Sequence, residues 1–215
     1  MQEETIEELP EEPEPWYKGP IKYIIAIFLI LLLVVWYIAI YGAKIDPEPK
    51  RIPTIEEVVP ANIIIENQSE TKDDFLAYLT PNDPVIKQTA DRIAAIGCDS
   101  SKVCQAKAMF YFVRDNFNYV SDPLAYEYIK TAKESLATKG GDCDDASVLL
   151  ANLLGAIGIR TRFVFIPSHV YVQAYLPDAI KSYKAEDNWV NLDATCDNCK
   201  FGEIQINNKN KRYIG

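Results

Sequence analysis

The chain has a single histidine, His169, so any imidazole chemistry must pass through that one ring. It also lacks a cationic excess. Lys and Arg total 22 against 31 Asp and Glu, and no basic stripe stands out. With a net charge of -9 the chain would repel phosphate, which excludes nucleic acid as a partner. No internal repeat at solenoid periods is present. Charge is absent altogether from residues 23–43, where Ile, Leu, Val and Phe dominate and no polar face interrupts them. A helix of that length crosses a hydrocarbon core of about 30 Å. Tyr23, Trp36, Tyr37 and Tyr41 lie towards its ends, as interfacial aromatics do. The segment before it is acidic rather than basic, unlike the start of a signal peptide. A single-pass membrane helix over 21–43 is therefore expected, with a lipid bilayer as its partner. Lys18 and Lys22 on one side balance Lys44, Lys50 and Arg51 on the other, so basic residues do not orient it.

What is present divides the chain further. Residues 1–20 are acidic and Pro-bearing and are expected to be a disordered tail. Pro47, Pro49, Pro53 and Pro60 mark residues 44–70 as a semi-stiff linker. The folded domain then covers 71–215. Its first half reads as helices: one with Val85, Ile86, Ala90, Ile93 and Ile96 at helical spacing, one through Val103, Ala106, Phe110 and Val113, and one over 125–141 ended by glycines. A fourth opens at Asp142 and carries Ala146, Leu149, Leu150, Leu153 and Ile157. After it the period changes to strands over 160–166, 169–176 and 188–195, with a last strand at the C-terminus. Helices followed by strands give an α+β fold with an antiparallel sheet.

Five cysteines suit an oxidising exterior: two close pairs and one thiol left over. Cys98, Cys104, Cys196 and Cys199 are expected to be structural disulfides, although four cysteines allow three pairings and the spacing does not choose among them. A four-thiolate zinc site is the alternative, weakened by the long Cys98–Cys104 separation. The Cys196–Asp–Asn–Cys199 stretch could also be a redox dithiol, but the thioredoxin setting is missing. Asn67 heads a glycosylation sequon. These features place the domain outside the cytoplasm.

The remaining thiol, Cys143, follows Gly140, Gly141 and Asp142 and precedes Asp144 and Asp145. Asp142 is a good N-cap, and Asp145 sits where a capping box puts its acid. Cys143 then lies in the first helical turn, where the helix dipole favours a thiolate and lowers the thiol pKa. His169 opens a strand and can take the thiol proton and return it to a leaving group. Asp193, at the end of another strand, can orient the imidazole. Asp142, Asp144 and Asp145 lack the EF-hand calcium spacing, and no metal or cofactor is expected.

At these residues the chain resembles the transglutaminase-like superfamily. The Gly–Asp–Cys helix opening, the Arg-bearing strand after a Gly-rich turn, the strand-initial His169 and Asp193 before a small residue match that pattern in order and spacing over about 105–195. The segment 118–123 also resembles the one that precedes the cysteine helix there. Tyr171 stands where many members have another aromatic, often tryptophan. The resemblance implies a papain-like α+β core with Cys143 as nucleophile, His169 as base and Asp193 as orienter. Tyr119 is the preferred second oxyanion donor, with Asn116 and Asn118 as alternatives. It further implies a cysteine peptidase, amidase or protein-glutamine acyltransferase acting through an acyl-enzyme on a protein or peptide, hydrolysis being favoured over transamidation or deglycosylation. A membrane-tethered binding module on the same scaffold, without turnover, is the alternative.

Overall fold

The computed structural model describes residues 15, 19–41, 46–61, 63–65, 74–122 and 128–215. Most of the acidic tail and Asn67 lie outside them. The chain forms two units, Met1–Ala43 and Lys44–Gly215. The first contains α1 (Ile21–Tyr41), which is long and apolar enough to cross a membrane and is exposed from Ile21 to Ala39.

The second unit starts earlier than Thr71. Residues expected to form a spacer carry α2 (Ile55–Val58), whose Ile55 and Val58 are buried in the core. Asp46 and Glu48 pair with the buried Lys107 ammonium at 2.6 and 2.5 Å. Proline content could not show that this chain lies on a surface; the buried cation and apolar contacts decide that.

After a short 3-10 turn at Phe75–Tyr78 come α3 (Pro84–Gly97) and α4 (Lys102–Asn116), followed by β1 (Asn118–Tyr119), α5 (Ala132–Thr138) and β2 (Gly140–Gly141). Asp83 caps α3, accepting from Val85 N–H at 2.9 Å, and Pro84 supplies the first turn. The third expected helix is shorter than its pattern suggested, since Thr131 caps α5 only at Ala132. β1 and β2 pair in parallel, Tyr119 opposite Gly141.

The central element is α6 (Cys143–Ala156), buried around its circumference from Asp145 to Leu154. Besides Asp145, two polar side chains of α6 are buried. Asn152 donates to the Tyr78 carbonyl (3.0 Å) and accepts from Thr80 N–H (2.6 Å). Ser147 donates to the Val170 carbonyl at 3.2 Å. α6 packs on an antiparallel sheet of order β5-β6-β4-β3-β7, made by β3 (Thr161–Ile166), β4 (His169–Tyr175), β5 (Lys184–Glu186), β6 (Trp189–Leu192) and β7 (Arg212–Ile214). Val170, Val172 and Ala174 of β4 alternate towards the helices and join Phe163, Val190 and Leu192 in the main core. β3 and β4 are joined by the two-residue turn Pro167–Ser168, where Ser168 takes a left-handed φ of 60°. That turn makes His169 the first residue of β4. This is the α+β architecture the sequence implied.

Candidate functional site

Asp142 caps α6, its Oδ1 accepting from the N–H groups of Asp144 (3.0 Å) and Asp145 (3.3 Å). Cys143 is therefore the first helical residue, as expected. Asp145 also reaches Lys130, accepting from its backbone N–H at 2.7 Å and its ammonium at 2.5 Å, while the Asp142 backbone N–H favours its charged form as in a capping box. Lys130 is a cation that sequence spacing gave no reason to place here. Gly141 must remain a glycine, because a Cβ there would lie 2.6 Å from the Cβ of Asp145. Burial raises the carboxyl pKa of Asp142, with the Asp145 charge adding to it. Burial likewise raises Asp145, against the opposing pull of Lys130.

Cys143 and Ser147 share one helical face, one turn apart. Because Ser147 bonds the Val170 carbonyl, the first turn of α6 faces the start of β4. The half-buried Cys143 is the free thiol among the described residues. Its Sγ is 3.5 Å from Asp144 Oδ1. Among the described residues, no hydrogen bond joins the sulfur to the imidazole.

The expected thiolate is not favoured in this state. Burial pushes the Cys143 thiol up to about 12, the Asp144 and Asp142 charges push the same way, and the Val170 N–H opposes them. Desolvation and two carboxylates outweigh the helix-terminal position from which a lowered pKa was expected.

His169 and Asp193 do meet. His169 Nε2 lies 3.0 Å from Asp193 Oδ2, with the carboxylate almost wholly buried at 1% side-chain exposure. Asp193 lies just past β6, which neighbours β4, so the sheet brings together two residues 24 apart. Burial works against the carboxylate's charge, but the His169 hydrogen bond and charge, the Gln205 N–H and the Thr195 hydroxyl together hold its pKa below the usual value. Thr195 donates to Oδ1 at 3.1 Å and Gln205 N–H to Oδ2 at 3.3 Å. Neither partner was foreseen, since a backbone N–H 12 residues away leaves no mark in a sequence. With Nε2 held by Asp193, Nδ1 is the ring nitrogen left for proton exchange.

Tyr119 is exposed on β1, beside the Gly141 strand that leads into Cys143. Asn118 neighbours Gly140 in the same pair. Asn116 is engaged elsewhere, its amide donating to the carbonyls of Phe112 (3.0 Å) and Pro53 (3.3 Å), so it does not serve as an oxyanion donor. The other four cysteines form the disulfides Cys98–Cys104 and Cys196–Cys199. As ligand atoms, Asp142, Cys143 and Asp144 lie within 4.8 Å of one another and could hold a cation. Asp142 already serves two backbone N–H groups there.

A thiol at the mouth of a buried helix, set against a strand that begins with a carboxylate-bound histidine, defines an α+β thiol-site domain. A family model described as the transglutaminase-like superfamily matches residues 87–194, half of the chain, and the chain belongs to that superfamily. Among solved structures it is similar to Legionella pneumophila LapG, at 20% identity over 54% of this chain and 66% of that one, with a TM-score of 0.41. A proposed cysteine protease from Cytophaga hutchinsonii matches at 18% identity over 65% of this chain and 46% of its own, with a TM-score of 0.41. A proposed protease from Parabacteroides distasonis matches at 14% identity over 50% and 26%, with a TM-score of 0.38. Each match spans less than two thirds of the solved protein's length. A search among curated proteins finds no relative.

Proposed function

We propose that residues 46–215 form a thiol acyl-transfer domain, most simply a peptidase or amidase, with Cys143 as nucleophile, His169 as base and Asp193 as orienter. One observation carries this reading: the buried Asp193 grips His169 Nε2 at 3.0 Å, while Ser147, one turn beyond Cys143 on α6, bonds the carbonyl of Val170, the residue after His169. Membership of the superfamily supports it.

In this mechanism Nδ1 of His169 accepts the thiol proton as sulfur adds to an amide carbonyl of a protein or peptide. The oxygen becomes an oxyanion facing the Cys143 N–H, which has no intrahelical partner, with Tyr119 as the second donor. The imidazolium passes its proton to the departing amine, the C–N bond breaks and a thioester remains. Water, deprotonated by His169, adds to the thioester carbonyl and expels the thiol, which takes back the proton. Asp193 stays ionised throughout and stabilises the imidazolium. A thiol held neutral in the free domain fits a base that acts only as the carbonyl arrives. Among the described residues nothing marks a second amine site, and hydrolysis is the preferred reading over transamidation.

The exposed apolar α1 supports a single membrane anchor, and two disulfides support a domain on the oxidising side of that membrane. The competing reading is a tethered binding module without turnover, and the raised thiol pKa favours it. Alkylation separates the two. In the full chain, His169→Ala should slow the reaction of Cys143 with iodoacetamide near neutral pH by about tenfold or more. Equal rates in the two proteins would leave the binding module standing.

A further inference from the structure

The chain leaves β6 at Asp193 and returns to the same carboxylate at Gln205, whose N–H binds Oδ2 at 3.3 Å. Between these points the Cys196–Cys199 disulfide closes a ring of adjacent turns: Cys196 N–H reaches the Asp193 carbonyl at 3.3 Å, and Cys199 N–H the Cys196 carbonyl at 3.1 Å. The residue before this ring, Thr195, gives its hydroxyl to Oδ1 at 3.1 Å. The far side of the ring is fastened to α4. Arg114 donates to the Cys199 carbonyl at 2.7 Å while lying over the Tyr111 ring at 4.6 Å, and Phe201 N–H reaches the Tyr111 hydroxyl at 3.4 Å. Phe201 itself is buried edge-on against Phe110 and Tyr183. A disulfide between residues only 3 apart restrains little of the unfolded chain, so its contribution to global stability is small. Its effect is local, and Asp193 is what it sits beside.

We infer that the 193–205 loop, closed by Cys196–Cys199 and fastened to α4 by Arg114, is the device that aims the Asp193 carboxylate at His169. Cys196, Cys199, Thr195 and Arg114 are positioning residues, and the inference rests on the Cys143–His169–Asp193 reading. An ionised carboxylate can swing about its own side-chain bonds. Here both oxygens are claimed, Oδ1 by Thr195 and Oδ2 by Gln205 and His169, and both non-imidazole donors belong to the stapled loop. Opening the staple lets Thr195 and Gln205 drift, and the carboxylate loses the restraint that fixes it towards Nε2.

The test is the rate of Cys143 alkylation by iodoacetamide in the full chain in detergent, read by mass spectrometry. Its free thiol is the same in every variant, because serine replaces each deleted cysteine. Cys196→Ser with Cys199→Ser should slow alkylation roughly tenfold and give the pH profile of Asp193→Asn. Added to Asp193→Asn, the two serines should slow it no further, since both changes act through one carboxylate. Cys98→Ser with Cys104→Ser should lower Tm and leave the rate and pH profile unchanged. Thr195→Val should slow the reaction and Thr195→Ser restore it, which keeps the question decidable should the double-serine protein fail to fold. A wild-type rate in the loop variants, or slowing that multiplies with that of Asp193→Asn, overturns the inference. A wild-type rate in Asp193→Asn itself overturns the triad reading, and this inference with it. Slowing in Asp193→Asn without slowing in the loop variants overturns the positioning role alone.

Discussion

Two leucine-rich helices of this chain meet opposite surroundings. α1 is exposed from Ile21 to Ala39, with Leu31 at its centre 56% accessible. α6 is buried on every side, and its Leu150, Leu153 and Leu154 are wholly inaccessible. Their polar residues explain the difference. α6 carries Ser147 and Asn152, and each finds a protein partner on another segment. An interior helix can carry such groups because neighbours complete their hydrogen bonds. α1 has no polar side chain between Tyr23 and Trp36, and so asks nothing of its surroundings except that they be apolar. A long apolar helix is thus assigned by the polar groups it includes and whom they reach, as much as by its hydrophobicity.

This contrast can be broken most sharply by deleting methylenes. Leu153→Ala should destabilise residues 46–215 by about 4 kcal/mol, because a closed core leaves a cavity behind. Leu31→Ala should leave the denaturant midpoint of the same domain unchanged. Denaturant unfolding of the full chain in detergent checks both, and equal losses would mean that α1 is also packed against protein. Charging α1 sharpens the comparison next. Leu31→Lys at mid-span should weaken membrane insertion by about 3 kcal/mol, read as a shift from the membrane pellet to the soluble fraction. Full retention in the pellet would remove the case for a spanning helix.

The smallest effect belongs to the mouth of α6, where the helix emerges towards solvent. Cys143 has a folded pKa raised from an ordinary value near 9 to about 12. A group raised on folding contributes stability that is fully present below its unfolded pKa and lost as pH rises towards its folded one. Between about pH 9 and about pH 12 the wild-type domain should therefore lose stability that Cys143→Ala retains. At about pH 10 the difference is roughly 1.4 kcal/mol. Parallel pH dependences in the two proteins would show that the thiol is less buried than this.

The parts legible in advance were those written in near neighbours. The Asp142 cap, the helix that begins at Cys143, the strand that begins at His169 and the position of Asp193 at a strand end all follow from contacts within a few residues or from periodicity. The Lys130 partner of Asp145 was missed because it lies 15 residues back on another segment. The spacer went astray because prolines describe backbone stiffness and say nothing of what Lys107, 61 residues beyond Asp46, will attract. Asn116 was one of three candidate donors until the Pro53 and Phe112 carbonyls took up its amide.

The sequence alone determined an apolar span, a thiol at a capped helix start and one available imidazole, because each depends on residue type and short-range spacing. Only the tertiary structure decided that Asp193 meets His169, that Cys196 pairs with Cys199, and that Cys143 rests as a neutral thiol. Those outcomes depend on burial and on partners distant along the chain. Desolvation and through-space charge act on whatever folding brings near, whatever the order in which it was joined.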